Sequence, residues 1–183
     1  MRRSACVVLG IDPGTLSTGY GVVARYRDTV RLLASGTVRN AGEAPMPVRL
    51  QKIYRDVCTI MHAYQPDELA IETAFYGKNA QSALKLGHAR GVVILAAIEN
   101  GIPTTEYSPR EVKKAVVGNG SASKDQVQYM VKSLLHLADK RMMLDASDAI
   151  AIAICHLHRH LLSSHRHRDW QSFIAAHPER VSL

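Results

Sequence analysis

The sequence predicts an α/β fold in which a mixed sheet is flanked by helices on both faces. Three observations predict it: 183 residues with 46% hydrophobic content, three strand-like segments at the start, and a later alternation of helices with short strands. A chain of this size builds one core, and no repeat or linker divides it. We therefore expect one domain over residues 1–162, followed by a basic, mobile tail over residues 163–183.

The first third of the chain has the pattern of three strands. Cys6 to Asp12 is a short apolar run that predicts a buried strand. Several glycines close behind it allow a tight turn into a second strand from Tyr20 to Ala24. A third strand is expected from about Arg31 to Arg39, before a turn-prone segment. These three segments predict a hairpin and one further strand.

The middle of the chain alternates helices with two more strands. Apolar side chains recur at helical spacing from Leu50 to Tyr64, which predicts an amphipathic helix. Glu68 to Glu72 is a short fourth strand, and Ile102 to Tyr107 is a fifth. Between them, Lys78 to Asn100 predicts a long helix whose many small residues permit close packing. The sheet is therefore expected to have five strands.

Three helices are expected after the fifth strand. Ser108 and Pro109 stand in the order of an N-cap and a first-turn proline. The segment Ser123-Lys-Asp-Gln126 has the pattern of a capping box. From Asp145 the alternation of Ala and Ile could indicate a strand, but the alanine content favours a helix that continues toward Leu162.

Charge and composition narrow the classes of partner. The net charge of +7 and a pI near 9.5 favour nucleic acid, because a positive field attracts polyanions. An anionic membrane surface is the competing partner, but no apolar run approaches the roughly 20 residues of a spanning helix. Three widely spaced cysteines suggest neither a disulfide framework nor a zinc site. We expect a cytoplasmic protein that does not engage a membrane.

Four acidic residues fall where an active site would form. Asp12 and Glu72 end the first and fourth strands, and ligands bind at such strand ends in α/β sheets. Asp145 and Asp148 are three apart and share one helix face. If that helix packs beside the first strand, the four carboxylates converge. Each also has a purely structural interpretation, as a turn residue, a helix N-cap, a helix-dipole partner or a solvated strand end.

A convergent set of carboxylates predicts a divalent cation site. Without counter-ions the four groups repel one another, and hard oxygen ligands select Mg²⁺ or Mn²⁺. Two ions about 4 Å apart would activate a water and stabilise the leaving oxygen of a phosphodiester. The pattern therefore points to hydrolysis of a nucleic-acid backbone.

An ordered set of motifs runs along the chain and covers nearly everything from Val7 to about His158. The segments are Leu9-Gly-Ile-Asp-Pro-Gly-Thr15, Thr18-Gly-Tyr-Gly21, Ala70-Ile-Glu72 with Phe75, Asn79-Ala-Gln-Ser-Ala-Leu-Lys-Leu-Gly-His-Ala-Arg90, Val112-Lys-Lys, Val117-Gly-Asn-Gly, Ser123-Lys124 and Asp145-Ala-Ser-Asp-Ala-Ile-Ala-Ile-Ala153. In this set the chain resembles the RuvC family of bacterial Holliday-junction resolvases. Actin-like and sugar-kinase ATPases share the opening motif, but the whole ordered set is specific to that family. Thr73 and Ala74 depart from common family patterns, which bears on DNA-sequence preference.

The resemblance implies an RNase H-like fold, a homodimer and Mg²⁺-dependent paired nicking of four-way junction DNA during recombination and repair. It implies two metal ions per site, with Mn²⁺ as a substitute, and RuvA and RuvB as branch-migration partners. The metal ligands would be Asp12, Glu72, Asp145 and Asp148. Lys124 would be catalytic, since a cation beside the scissile phosphate is electrostatically favourable. Its competing interpretation is ordinary helix solubility.

DNA contacts are expected from one aromatic and several basic residues. Phe75 would wedge or stack at the opened crossover, although burial in the core is an equal alternative. The histidines and arginines from His156 to Arg168 lack a metal-ligand spacing. A solvated helix end is favoured over a basic tail that touches phosphates. The expected DNA-binding residues are Phe75, Lys78, Lys85, Arg90, Lys113 and Lys114.

Two other classes of function compete with the nuclease. An actin-like ATPase is suggested by Gly10-Ile-Asp-Pro-Gly-Thr15, but that fold needs a second lobe and another phosphate loop. A non-catalytic junction-binding protein is disfavoured because all four acids are present. Cleavage of a synthetic junction in Mg²⁺ discriminates among the three.

Overall fold

A five-stranded mixed sheet organises the molecule, as the sequence predicts. The structure is a computed structural model that describes residues 5–27, 29–73, 80–137 and 142–164. The strands are β1 (Ala5–Asp12), β2 (Ser17–Tyr26), β3 (Thr29–Arg39), β4 (Glu68–Glu72) and β5 (Thr104–Tyr107). The helices are α1 (Met46–Tyr64), α2 (Ala80–Glu99), α3 (Pro109–Val117), α4 (Lys124–Leu134) and α5 (Leu144–Ser164).

The strand order is β3-β2-β1-β4-β5, with an antiparallel half and a parallel half. β1 pairs antiparallel with β2, and β2 pairs antiparallel with β3. β4 lies parallel to both β1 and β5, and α2 provides the crossover connection from β4 to β5. The carboxyl ends of β1 and β4 therefore meet at one edge of the sheet.

Helices cover both faces of the sheet, which confirms the predicted layers. Because side chains alternate along a strand, Leu9 and Ile11 of β1 pack with α1 and α2, whereas Val8 packs with α3, α4 and α5. The larger fully buried side chains include Leu69 and Ile71 on the first face and Ile150 on the second. Two apolar layers thus fix the position of every strand end.

A track of glycines seats α5 directly on the sheet. Gly10 of β1 and Gly19 and Gly21 of β2 all face this helix. A Cβ on Gly10 would lie 2.8 Å from the backbone nitrogen of Ala153, and a Cβ on Gly19 would lie 3.1 Å from the Cβ of Asp145. Only glycine permits so close an approach of helix and strand. The track brings the start of α5 beside the end of β1.

The predicted elements are all present, with shifts at their ends. The predicted capping box at Ser123 and the predicted N-cap at Ser108 are confirmed, and Ser108 also forms a capping box, with Glu111. α1 begins at Met46 because a proline is tolerated in a first helical turn, and β2 extends to Ser17 through strand pairing. α5 runs through Ser164, so the helix includes the first two residues of the tail expected over residues 163–183, and the rest of that tail lies outside the described residues.

Cys6, Cys58 and Cys155 are all free in the structure. Within the described ranges, no helix is long and apolar enough to cross a membrane.

Candidate active site

The two strand-end acids are neighbours. Ile11 of β1 pairs with Ile71 of the parallel strand β4. Asp12 and Glu72 are the next residues, so they end their two strands side by side. The glycine track explains the position of the two acids on α5. It places the first turns of this helix beside the end of β1, where Asp12 lies. The sequence-predicted convergence of strand ends and helix is therefore what the fold produces.

Three of the four acids line one cleft of about 280 Å³. Asp12, Glu72 and Asp148 supply its carboxylates, and Lys113 and Lys124 supply two cations. Its apolar wall comes from α3, α4 and α5. The wall residues are Pro109, Val112, Val127, Ala151 and Ile152.

Burial and mutual repulsion perturb the carboxylates strongly. Burial, followed by the charges of Glu72 and Asp148, raises the pKa of Asp12 from 3.8 to about 7. Burial also raises the pKa of Glu72, while a hydrogen bond with Asp12 opposes that rise. A protonated Asp12 donating to Glu72 relieves the repulsion between the two groups. A cation bound by these two carboxylates would displace this proton.

Lys124 reaches into the cleft from the first residue of α4. Its Nζ donates to Oδ2 of Asp148 at 2.7 Å, and that hydrogen bond is the main reason the pKa of Lys124 is raised. Its side chain is still 68% exposed, so the ammonium also faces solvent. Lys113 acts from α3, where its charge lowers the pKa of Glu72. Both predicted lysines are therefore at the site.

Asp145 occupies a different place from its helix partner. It lies in the first turn of α5, not at the N-cap, and it is not among the residues that line the cleft. Its Oδ2 accepts a hydrogen bond from the Ser17 hydroxyl at the start of β2. Its charge still raises the pKa of Asp12, although less than those of Glu72 and Asp148. Sequence reasoning missed Ser17, because no local spacing links residues 128 apart.

The donor set fits a hard divalent cation. Every candidate ligand atom is a carboxylate oxygen, and burial together with the charges of Glu72 and Asp148 raises the pKa of Asp12, so a bound cation would stabilise its ionised form. Across residues 5–27, 29–73, 80–137 and 142–164, no three His, Cys, Asp or Glu side chains have a ready-made ligand arrangement. Protons and neighbours satisfy the carboxylates instead: Lys124 for Asp148 and Ser17 for Asp145.

The predicted DNA-binding residues have varied surroundings. Lys85 on α2 and Lys114 on α3 are exposed, as a phosphate contact requires. Arg90 instead forms an ion pair with Glu106 of β5, so its charge is partly neutralised. Phe75 and Lys78 lie outside the described residues.

One histidine contradicts the solvated helix end that the sequence favours. His156 is only 2% exposed and lies eight residues beyond Asp148 on α5. The Tyr107 hydroxyl and Nδ1 of His156 are hydrogen-bonded at 2.8 Å, and burial raises the pKa of Tyr107 to about 12. Nε2 of the ring then faces Oε2 of Glu68 at 2.8 Å. This polar network fastens α5 to β4 and β5.

The remaining members of the predicted basic end differ among themselves. His158 is half-buried and bonds the carbonyl of Ala115, while Arg159 pairs with Glu111. The side chain of His160 and all residues from His165 onward lie outside what the structure describes. The burial of His156 could have been predicted from the helical repeat. Residue 156 falls on the same helix face as Ile152 and Ala153, which are both buried.

Comparisons of the sequence with known proteins point to one family. The sequence model of the family described as "Crossover junction endodeoxyribonuclease RuvC" matches residues 8–156. A protein of that description from Chloroherpeton thalassium is 50% identical over 149 residues, which cover 81% of this chain and 80% of that protein. Another from Salinibacter ruber is 42% identical over 180 residues, covering 96% and 99% respectively.

Solved structures give the same result for the fold. T. thermophilus RuvC in complex with Holliday junction substrate superposes with a TM-score of 0.82 at 35% identity, covering 87% of this chain and 97% of that one. The yeast mitochondrial Holliday junction resolvase Ydc2 has a TM-score of 0.63 at 15% identity, covering 86% and 82%. At that identity, the second likeness speaks for the fold alone.

Proposed function

This chain belongs to the crossover junction endodeoxyribonuclease RuvC family, and from that premise we propose how its cleft hydrolyses a phosphodiester at a four-way DNA junction. The observation that carries the proposal is the meeting of Asp12, Glu72 and Asp148 with Lys113 and Lys124 in one cleft. Carboxylates for a cation and ammonium groups for a phosphate are the components that phosphoryl hydrolysis needs.

The metal ligands in this proposal are the four predicted acids. Asp12, Glu72 and Asp148 hold cations within the cleft, and Asp145 contributes from its rim. Mg²⁺, or Mn²⁺ in its place, supplies a Lewis acid and a water of lowered pKa when it is bound. We propose two ions per site, because four carboxylates from three elements offer more oxygen ligands than one ion requires.

The two lysines act on the substrate. Lys124 sits opposite Asp148 with most of its side chain in solvent, so its ammonium can contact the scissile phosphate and offset charge that develops on it. Lys113 approaches the same cleft from α3 and lowers the negative potential at Glu72. Together they allow a polyanion to enter a site that is otherwise acidic.

Junction binding needs a surface larger than the cleft. The net charge of +7 supplies a favourable field, and exposed Lys85 and Lys114 are placed to contact phosphates. Arg90 would contribute less while it is paired with Glu106. We retain Phe75 and Lys78 as proposed contacts at the crossover on the family resemblance.

Paired cuts require two active sites, and α2 offers the surface for a homodimer. Leu84 and Ile98 are 65% and 66% exposed, and Leu95 lies between them on the same face. Gly91 on this face has open space around it, so a partner helix could approach closely. A two-fold axis through this surface would relate the two clefts.

Sedimentation tests the dimer. Leu95→Glu should shift the chain from dimer to monomer at micromolar concentration, because it places a charge in an apolar interface. Leu33→Glu, at an exposed leucine of β3, is the matched control and should leave the dimer intact. A wild-type monomer that cuts junctions symmetrically would contradict the paired-site proposal.

Two further parts of the proposal rest on the family. We propose action in the cytoplasm, which three free cysteines fit because reducing compartments keep thiols unpaired. We also propose that RuvA and RuvB deliver the migrating junction to this nuclease.

Junction cleavage tests the central proposal. A labelled synthetic four-way junction and a linear duplex are incubated with the protein in Mg²⁺ or in chelator. We expect symmetric, Mg²⁺-dependent nicks in the junction alone. Asp12→Asn and Asp145→Asn should lose cutting yet keep or strengthen binding, since each removes a negative charge that repels phosphates. Asp56→Asn, at an acid paired with Lys52 on α1, is the matched control. Binding without any Mg²⁺-dependent cutting would refute the nuclease.

A further inference from the structure

We infer that Ser17 is a positioning residue: its hydroxyl holds the Asp145 carboxylate in the orientation that lets it bind a cation or its water. This inference deepens the proposed nuclease function and rests on it. Its basis is the hydrogen bond from the Ser17 hydroxyl to Oδ2 of Asp145, which joins the first residue of β2 to the first turn of α5.

The turn that carries Ser17 is fixed from both sides. Thr18 is fully buried, and its Oγ1 donates to the carbonyl of Gly14 at 2.6 Å. The same oxygen accepts from the Gly14 nitrogen at 3.3 Å. On the other side, the backbone nitrogen of Asn40 donates to the carbonyl of Leu16 at 2.9 Å. Ser17 therefore sits in a preorganised turn and not on a loose surface loop.

The main chain of Asp145 is fixed as well. Gly19 faces it so closely that a Cβ there would lie 3.1 Å from the Cβ of Asp145. Ser17 and Gly19 are two residues apart on β2, so both point to the face that α5 covers. With both backbones set, the remaining freedom of Asp145 is rotation of its side chain. The Ser17 hydroxyl selects one rotamer.

The two acids on α5 have different partners. Asp148 lines the cleft with its Oδ2 bonded to Lys124, whereas Asp145 is not among the lining residues and has its Oδ2 bonded to Ser17. A carboxylate has two oxygens, so the hydroxyl leaves Oδ1 available for a cation or its water. Groups that orient a ligand in this way raise metal affinity, and their loss typically weakens it by about 10- to 100-fold.

Calorimetric titration of Mn²⁺ into chelator-treated full-length protein tests the assignment without cleavage. We expect Ser17→Ala to weaken Mn²⁺ binding by about 10-fold, because the Asp145 side chain is no longer held. Ser17→Thr keeps the hydroxyl and should bind within about 3-fold of wild type. Ser35→Ala, at a half-buried serine of β3, is the matched control and should bind like wild type.

A double-mutant cycle ties the effect to its partner. In an Asp145→Asn background, Ser17→Ala should produce no further loss of Mn²⁺ affinity, since the charge that it orients is gone. An equal loss in that background would overturn the inference. The thermal midpoint in chelator is measured alongside, because a purely structural role would lower it while leaving Mn²⁺ affinity unchanged. That outcome would also overturn the inference.

Mn²⁺ binding and junction cutting by wild type distinguish an error about Ser17 from an error about the nuclease activity. If wild type binds Mn²⁺ and Ser17→Ala binds equally well or more tightly, only the role of Ser17 is overturned. If wild type binds no Mn²⁺ and cuts no junction, the proposed function falls and the role of Ser17 falls with it.

Discussion

Replacing Asp12 with asparagine should make the metal-free protein more stable, and the gain should grow with pH. Burial and the charges of Glu72 and Asp148 raise the pKa of Asp12 in the folded state from 3.8 to about 7. The folded state therefore holds this proton more tightly than the unfolded state does. The associated stability is full below pH 4 and is lost as the pH rises toward and through 7.

The size of the effect follows from the two pKa values. A difference from 3.8 to about 7, at about 1.4 kcal/mol per pH unit, corresponds to about 4 kcal/mol. Asparagine cannot ionise, so Asp12→Asn avoids this loss. Its advantage over wild type should be under about 1 kcal/mol at pH 4 and should approach about 4 kcal/mol at pH 8. For a chain of this length that is about 8 to 16 °C in the thermal midpoint.

The assay is denaturation followed by circular dichroism, in chelator, at equal protomer concentration and at several pH values. Asp56→Asn is the control, because Asp56 is an exposed acid in an ion pair with Lys52 and should give a pH profile parallel to wild type. Mg²⁺ at 100 times its dissociation constant for wild type should narrow the difference at pH 8 by up to about 2.7 kcal/mol, because it binds the intact carboxylate site more tightly than the variant. A constant difference between Asp12→Asn and wild type across pH 4 to 8 would refute the reasoning.

Three further predictions concern the glycine track, the cleft lysine and the buried histidine. Gly10→Ala should lower the free energy of unfolding by more than about 3 kcal/mol in urea denaturation, because its Cβ would lie 2.8 Å from a backbone nitrogen. Gly42→Ala, with open space in the turn before α1, is the matched control and should change it by less than about 1 kcal/mol. Lys124→Ala should leave the thermal midpoint within about 2 °C but slow single-turnover cutting by about 100-fold, and unaltered cutting would remove it from the site. His156→Leu should cost about 1 to 3 kcal/mol of unfolding free energy, because the hydroxyl of buried Tyr107 loses its hydrogen bond to the ring, and a neutral effect would contradict the network.

The sequence was a sound guide wherever structure depends on local pattern. The bounds of Glu68–Glu72 match the prediction, and the boxes at Ser108 and Ser123 form because capping involves residues only three apart. The glycine-rich start of β2 was missed because strand propensity is low there and pairing with β1 and β3 overrides it. The ends of a strand therefore depend on pairing with residues that are distant in sequence, which a local sequence pattern does not show.

The candidate site shows the same division. Asp12 and Glu72 could be predicted because each follows an apolar strand, and their neighbourhood follows from parallel pairing. The different positions of Asp145 and Asp148 could not be predicted, because both share a helix face and only the packing of α5 separates them. The pairing of Ser17 with Asp145 depends on the same packing. Metal ligation by these residues stays a prediction.

The glycine track under α5 has a genetic consequence. Because Gly10, Gly19 and Gly21 set the seating of the helix that carries Asp145 and Asp148, one displacement would disturb both the fold and the acids. Substitutions along the track should therefore give simple loss-of-function alleles, in which abundance and cutting fall together. Alleles that still occupy junctions without resolving them, and so act dominantly over wild type, should arise at the carboxylates themselves.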